Sequence, residues 1–338
     1  MPADAAASII CANPDCNIAV DGKCVEGIER DKCPHFGRPP QAKESATVQK
    51  PAGIRLPAGI MLNDSEATAL VRRKPSRVVA MIAPSEAGKT SLIASLYDLF
   101  QGGPIGSVVF RGSKTLRDFE LVCHDARAAS RRNKPHTERT KRGEVKFFHI
   151  DVATDGDDGL LTLILADRAG EDYRTAIDDP QNAEAFFELS RCDVLALLID
   201  GSRLRDSETR HNVKSDAQML VQAMVEQRMV AQRPRLAIVL TKLDLVESAG
   251  HRDRVHADFD AIVTTIRRFY DGNFTEIETF KVAASPEDGS IMRGTGVSDL
   301  LSLWLKRPSP PSTAVEGQQP SARAFGRLQR DGEKFDRE

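Results

Sequence analysis

Ala83-Pro84-Ser85-Glu86-Ala87-Gly88-Lys89-Thr90 is the stretch whose reading decides the fold. It follows a short β-branched run, residues 77–83, and opens a segment with helical spacing, residues 89–100. In that strand–loop–helix setting it matches the phosphate-loop spacing G-x-x-x-x-G-K-[ST], with Ala83 in place of the first glycine. Successive backbone N–H groups of such a loop wrap a phosphate at the positive end of a helix. Gly88 removes a side chain where backbone and ligand must approach. Lys89 brings a mobile charge to the β and γ oxygens, and the Thr90 hydroxyl can ligate Mg2+. The residues expected around the phosphates are Ala83, Ser85, Glu86, Ala87, Gly88, Lys89, Thr90 and Ser91.

Outward from this loop the chain alternates strand-like and helix-like periods. Strands are expected at residues 107–111, 145–152, 160–166, 194–200, 236–241 and 278–282, and helices at 116–131, 207–230, 252–270 and 297–306. Such alternation implies an α/β fold of three layers: a mostly parallel sheet with helices on both faces. Asp155-Gly156-Asp157-Asp158-Gly159 reads as a hairpin turn, which adds one antiparallel strand.

Two strand ends carry further chemistry. Residues 161–166 run into Asp167-Arg168-Ala169-Gly170, a D-x-x-G motif. An acid there can hold Mg2+ through water, and the Gly170 N–H can bond a γ-phosphate oxygen, so that loss of the phosphate frees the following loop. Residues 236–240 run into Thr241-Lys242-Leu243-Asp244, which fits [NT]-K-x-D. One carboxylate, Asp244, can accept from both N1–H and the exocyclic amine of guanine; adenine lacks that donor pair and would leave the carboxylate unsatisfied. The Lys242 stem can cover the base face. The N–H groups of Ala283 and Ala284, in Lys281-Val282-Ala283-Ala284-Ser285, are candidates to meet the guanine O6. A guanine nucleotide, GTP or GDP, with Mg2+ is the expected ligand; an ATPase of the wider P-loop class is the competing reading.

With its hairpin before Asp167, the chain resembles the translation-factor and Ras-related (TRAFAC) branch of P-loop GTPases. More narrowly it resembles the bacterial Double-GTPase (type 2) family of conflict or defence systems. The strings that carry this are Cys16…Gly22-Lys23-Cys24-Val25-Glu26-Gly27…Cys33-Pro34, Val78-Val79-Ala80 leading to Ala87-Gly88-Lys89-Thr90, Phe110-Arg111-Gly112-Ser113-Lys114-Thr115-Leu116, Thr137-Glu138-Arg139-Thr140 and Ile199-Asp200-Gly201. The resemblance implies a nucleotide switch in a signalling or conflict system, with protein partners encoded nearby. Residues 104–135 look like an insertion before switch I. The switch I threonine expected to ligate Mg2+ is Thr140, with Thr137 as the alternative. Glu171 stands where many Ras-like domains place a water-orienting glutamine, which implies slow intrinsic hydrolysis or a non-hydrolysing scaffold. Lys89, Thr140, Gly170 and Glu171 form the candidate catalytic set, with Arg139, Arg168 and Arg174 as candidate internal arginine fingers.

The organisation expected is a Cys-rich module at 1–36, a linker at 37–62, the GTPase domain at 63–306 and a disordered tail at 307–338. Cys11, Cys16, Cys24 and Cys33 supply four soft ligands, with His35 as a possible substitute, for a structural Zn2+ that lets a coreless segment fold. Cys123 and Cys192 are expected to be small buried hydrophobes. The chain has 338 residues, 41% hydrophobic and 28% charged, enough for one large core. A net charge of -2 gives no global field for nucleic acid or anionic membrane. No apolar stretch is long enough for membrane insertion and the start lacks a signal peptide, so a cytoplasmic protein is expected.

Overall fold

The computed structural model describes residues 11–13, 16, 18, 22–38, 57–130, 142–154, 159–248, 250–286 and 290–307. Thr137, Arg139 and Thr140, residues 39–56 of the expected linker, the hairpin turn at 155–158 and the tail from 308 lie outside them. The chain divides into two compact units, Met1–Leu56 and Pro57–Glu338.

The described residues of the smaller unit form turns and one 3-10 helix, Arg30–Lys32. Cys11 and Phe36 form an antiparallel bridge, and Gly22 and Gly27 turn the chain with φ of 68° and 71°. Among its described residues Ile18 is the one buried hydrophobe.

The larger unit opens on α1 (Asp64–Val71), which Asn63 and Glu66 start with a reciprocal capping box. Just before it, Leu62 exchanges two backbone hydrogen bonds with Phe147, of 2.9 and 3.0 Å. Among the described residues seven strands follow: β1 (Ser76–Ile82), β2 (Val108–Gly112), β3 (Val145–Thr154), β4 (Leu161–Arg168), β5 (Val194–Asp200), β6 (Arg235–Thr241) and β7 (Glu276–Lys281). They lie in the order β2-β3-β4-β1-β5-β6-β7. Only β3 runs against its neighbours, antiparallel to both β2 and β4; β4, β1, β5, β6 and β7 pair in parallel. The sheet is thus mostly parallel with one antiparallel strand.

Its helices are α2 (Lys89–Gln101), α3 (Leu116–Ser130), α4 (Gly170–Asp178), α5 (Gly201–Arg205), α6 (Arg210–Glu226), α7 (Leu243–Glu247), α8 (Arg252–Tyr270) and α9 (Val297–Leu305). The strands read as near-continuous apolar runs because they are covered on both faces. Along β1, Val79 and Met81 join one core with residues of α2, α3 and α9, while Val78, Ala80 and Ile82 join the other with α4, α6 and α8. The segment read as an insertion is part of this body. It adds β2 at the sheet edge and packs α3 on α2, with the Tyr97 and Phe119 rings stacked at 4.7 Å and the Tyr97 hydroxyl donating to Glu120 at 2.7 Å. Cys123 and Cys192 are buried in the cores. The helix expected over 207–230 is shorter at both ends: the chain turns before Arg210, and Arg228 takes a left-handed φ of 57° just after Glu226.

Candidate nucleotide site

The phosphate loop leaves β1 at its C-terminal end and enters α2 through Gly88, whose φ of 91° lies in the left-handed region. Ala83 is absent from the residues with positive φ, so the first loop position needs no glycine here. Glu86 does adopt positive φ, 67°, a conformation that strains a residue with a side chain. Lys89 folds back over the loop: its Nζ donates to Ala83 O at 2.8 Å and Pro84 O at 3.2 Å. An ammonium carries three protons, so the loop carbonyls fix the lysine and leave it donor capacity for a phosphate. The same Nζ lies 5.4 Å from the centre of the Tyr173 ring. Burial lowers its pKa to about 8, against the opposing pull of Asp167, Glu171 and Asp172.

At the end of β4, Asp167 is buried, and Gly170 begins α4 directly against the phosphate loop. A Cβ on Gly170 would stand 2.3 Å from Ser85 N and 2.6 Å from Pro84 C. Only glycine permits that approach, which joins the D-x-x-G turn to the phosphate loop backbone to backbone. Glu171 lies in the first turn of α4, half-buried.

The two described arginine-finger candidates have other employment. Arg168 is buried and makes a bidentate pair with Glu188, 2.6 Å from Nε and 2.8 Å from Nη2, with its guanidinium 4.8 Å from the Phe186 ring centre. The segment that folds back at Glu188 claims this candidate finger. Arg174 donates to Asp216 at 2.7 Å and so ties α4 to α6.

The base-reading motif is linked to the phosphate loop by one side chain. The Thr241 Oγ1 donates to Ala87 O at 2.9 Å and reaches Ile199 O at 3.2 Å. Lys242 takes φ 54° at the corner, and Asp244 is buried in the first turn of α7. The Leu243 N–H donates to Val282 O at 3.1 Å, which brings the loop after β7 alongside. There Ala283 is fully buried and its N–H already donates to Thr295 O at 3.1 Å. Of the two amides expected at O6, Ala283's is therefore taken, and Ala284, half-buried, is the candidate that remains. Sequence reasoning missed Asp200, whose Oδ2 accepts from Lys242 Nζ at 2.8 Å; Ile199-Asp200-Gly201 was the available signal.

Thr90 and Asp167 offer hard oxygen donors of the kind Mg2+ takes. In the N-terminal unit, Cys16 lies close enough to Cys11 and Cys24, and Cys33 to Cys11, for their thiols to interact electrostatically. All four are free thiols. Among the described residues no group of three or more His, Cys, Asp or Glu side chains is arranged to hold a metal ion.

A phosphate loop, an Asp-x-x-Gly turn and a Thr-Lys-x-Asp corner at the C-terminal ends of β1, β4 and β6 define a GTP-binding P-loop domain. A family model for Double-GTPase 2 matches residues 77–305, more than half of the chain, and the chain belongs to that family. The matched region excludes the cysteines at 11–33. Among solved structures, the signal recognition particle receptor SRb-GTP/SRX complex from Chaetomium thermophilum aligns at 17% identity and a TM-score of 0.39, over 68% of this chain and 96% of that one. No curated protein matches. Among the described residues no helix is long and apolar enough to cross a membrane.

Proposed function

We propose that the chain is a molecular switch that binds GTP with Mg2+ and hydrolyses it to GDP, slowly unless a partner protein assists, in a bacterial signalling or conflict system. The observation that carries this is the Thr241–Ala87 hydrogen bond, which binds the base-reading corner to the phosphate loop. In this reading Ser85, Glu86, Ala87, Gly88 and Ser91 line the phosphates, Lys89 neutralises them, and Asp244 reads guanine with Ala284 at O6. Thr90 and Asp167 would hold Mg2+, which would draw charge from the phosphate oxygens. The Gly170 N–H would sense the third phosphate, and Glu171 would orient water. Partner assistance is supported by the burial of Arg168 against Glu188 and the engagement of Arg174 with Asp216, which leave neither guanidinium directed to phosphate charge.

Titration with GTP, GDP and ADP, alongside Lys89→Ala and Asp244→Asn, tests the reading. Guanine preference in the native chain, loss of binding with Lys89→Ala and a shift toward xanthine nucleotides with Asp244→Asn are expected. Equal affinity for adenine nucleotides would overturn it. Glu171 keeps a second reading in play, a GTP-dependent scaffold that does not hydrolyse; turnover of radiolabelled GTP separates the two. For the N-terminal unit, the contacts of Cys16 with Cys11 and Cys24 support a structural Zn2+ that draws the four thiols together, and near-stoichiometric zinc in the purified protein is the expected outcome.

A further inference from the structure

The end of β5 carries Asp200-Gly201-Ser202, which the phosphate, metal and guanine roles do not use. In the sheet, Asp200 stands in register beside Thr241. A Cβ on Gly201 would lie 2.5 Å from Thr241 O and 2.7 Å from Val246 Cγ2, so this turn and the base-reading corner pack with only a glycine between them. The two Asp200 oxygens divide their work. Oδ1 accepts from Ser202 N at 2.9 Å, Ser202 Oγ at 2.7 Å and Arg203 N at 3.3 Å, which starts α5. Oδ2 accepts from Lys242 Nζ at 2.8 Å, and Ser202 Oγ lies 3.3 Å from the same nitrogen. The carboxylate side chain is 5% exposed and the lysine 30%. Lys242 is thus anchored at both ends, by its left-handed backbone at the corner and by its ammonium on Asp200.

We infer that Asp200 is a positioning residue for the purine: by holding the Lys242 ammonium it lays the lysine stem along the base slot before a nucleotide arrives. The inference rests on the guanine-nucleotide reading of this site and deepens it. A long, flexible side chain loses rotamer freedom when it orders on a ligand, and a partner that orders it beforehand removes that loss from binding. Methylene groups against the face of a base do not distinguish its edge substituents. Asp200 therefore acts equally on guanine and hypoxanthine, whereas Asp244, which needs the exocyclic amine, separates them.

The test is calorimetric titration of GDP and IDP into the native chain, Asp200→Asn, Lys242→Met and the double variant, with Asp244→Asn as the comparison. Asp200→Asn keeps an oxygen to start α5 but replaces the acceptor facing Lys242 with an amide. A charge-assisted hydrogen bond with one half-exposed partner corresponds to a loss of about tenfold in affinity. The expected result is the same tenfold loss for GDP and IDP, an unchanged unfolding midpoint, and a double variant no weaker than Lys242→Met. Lys242→Met probes the same contact from the more exposed side, where folding is not at stake. Affinities within about twofold of native for Asp200→Asn overturn the inference. So do losses that multiply in the double variant, or a loss confined to GDP. A native chain that binds neither GDP nor IDP defeats the guanine-nucleotide reading itself, an outcome visible before any variant is measured.

Discussion

Replacing Glu188 with alanine removes the carboxylate that meets Arg168 with two hydrogen bonds. Arg168 and Glu188 side chains are 4% and 0% exposed, so neither charge is solvated. What remains for the guanidinium is Ala185 O at 3.3 Å, Asp172 Oδ2 at 3.4 Å and the face of Phe186. Breaking a buried ion pair from one side costs about 3–5 kcal/mol. The longer contact to Asp172 leaves some compensation, which puts the expected loss near the lower end, about 3 kcal/mol. For a domain of this size that is a fall of roughly 6–12 °C in unfolding midpoint. Guanidinium chloride unfolding of the native chain and of Glu188→Ala measures it. The double variant Arg168→Met with Glu188→Leu removes both charges and fills the volume with apolar atoms, so it is expected to recover most of the loss. As a control, Glu29→Ala breaks the Glu29–Lys32 pair, whose side chains are 75% exposed, and is expected to change nothing measurable. A loss below about 1 kcal/mol in Glu188→Ala, or a double variant no more stable than the single one, would refute the argument that the pair is a buried unit.

Gly170→Ala places a methyl group against backbone atoms of Pro84 and Ser85 that cannot rotate away, so α4 must lift off the phosphate loop; nucleotide affinity is expected to fall by about tenfold or more while the chain stays folded, read by titration and circular dichroism. Glu86→Gly relieves a left-handed backbone strain at the cost of a more flexible unfolded chain, for a net gain of up to about 1 kcal/mol in thermal unfolding, and a loss of stability would contradict the strain. His149 is buried, accepts the Lys114 N–H on Nδ1 at 3.0 Å, and burial lowers its pKa below the ordinary 6.5 against the pull of Asp151. The unfolded chain therefore takes up a proton that the folded one refuses, and stability is expected to fall as pH drops below 6.5, less steeply in His149→Asn.

The phosphate loop, the D-x-x-G turn and the Thr-Lys-x-Asp corner were legible because each is a local event: a strand stops, the chain turns, and the residues that do the chemistry are consecutive. The strand order was not legible in the same way, since crossovers that put β1 between β4 and β5 follow from packing both faces of the sheet. Arg168 shows where local reading stops. It was a candidate arginine finger, yet the residue that decides its role is Glu188, twenty positions on and brought back by the turns after α4. Asp200 is the converse case. The string Ile199-Asp200-Gly201 around it marks a family resemblance but no role, and its partner Lys242 lies in another motif; only the parallel register of β5 with β6 makes them neighbours. Motif residues announce the ligand they meet, because ligand chemistry constrains consecutive positions. The residues that hold those motifs in place are chosen by the fold, and their roles emerge only when strands far apart in sequence are laid side by side.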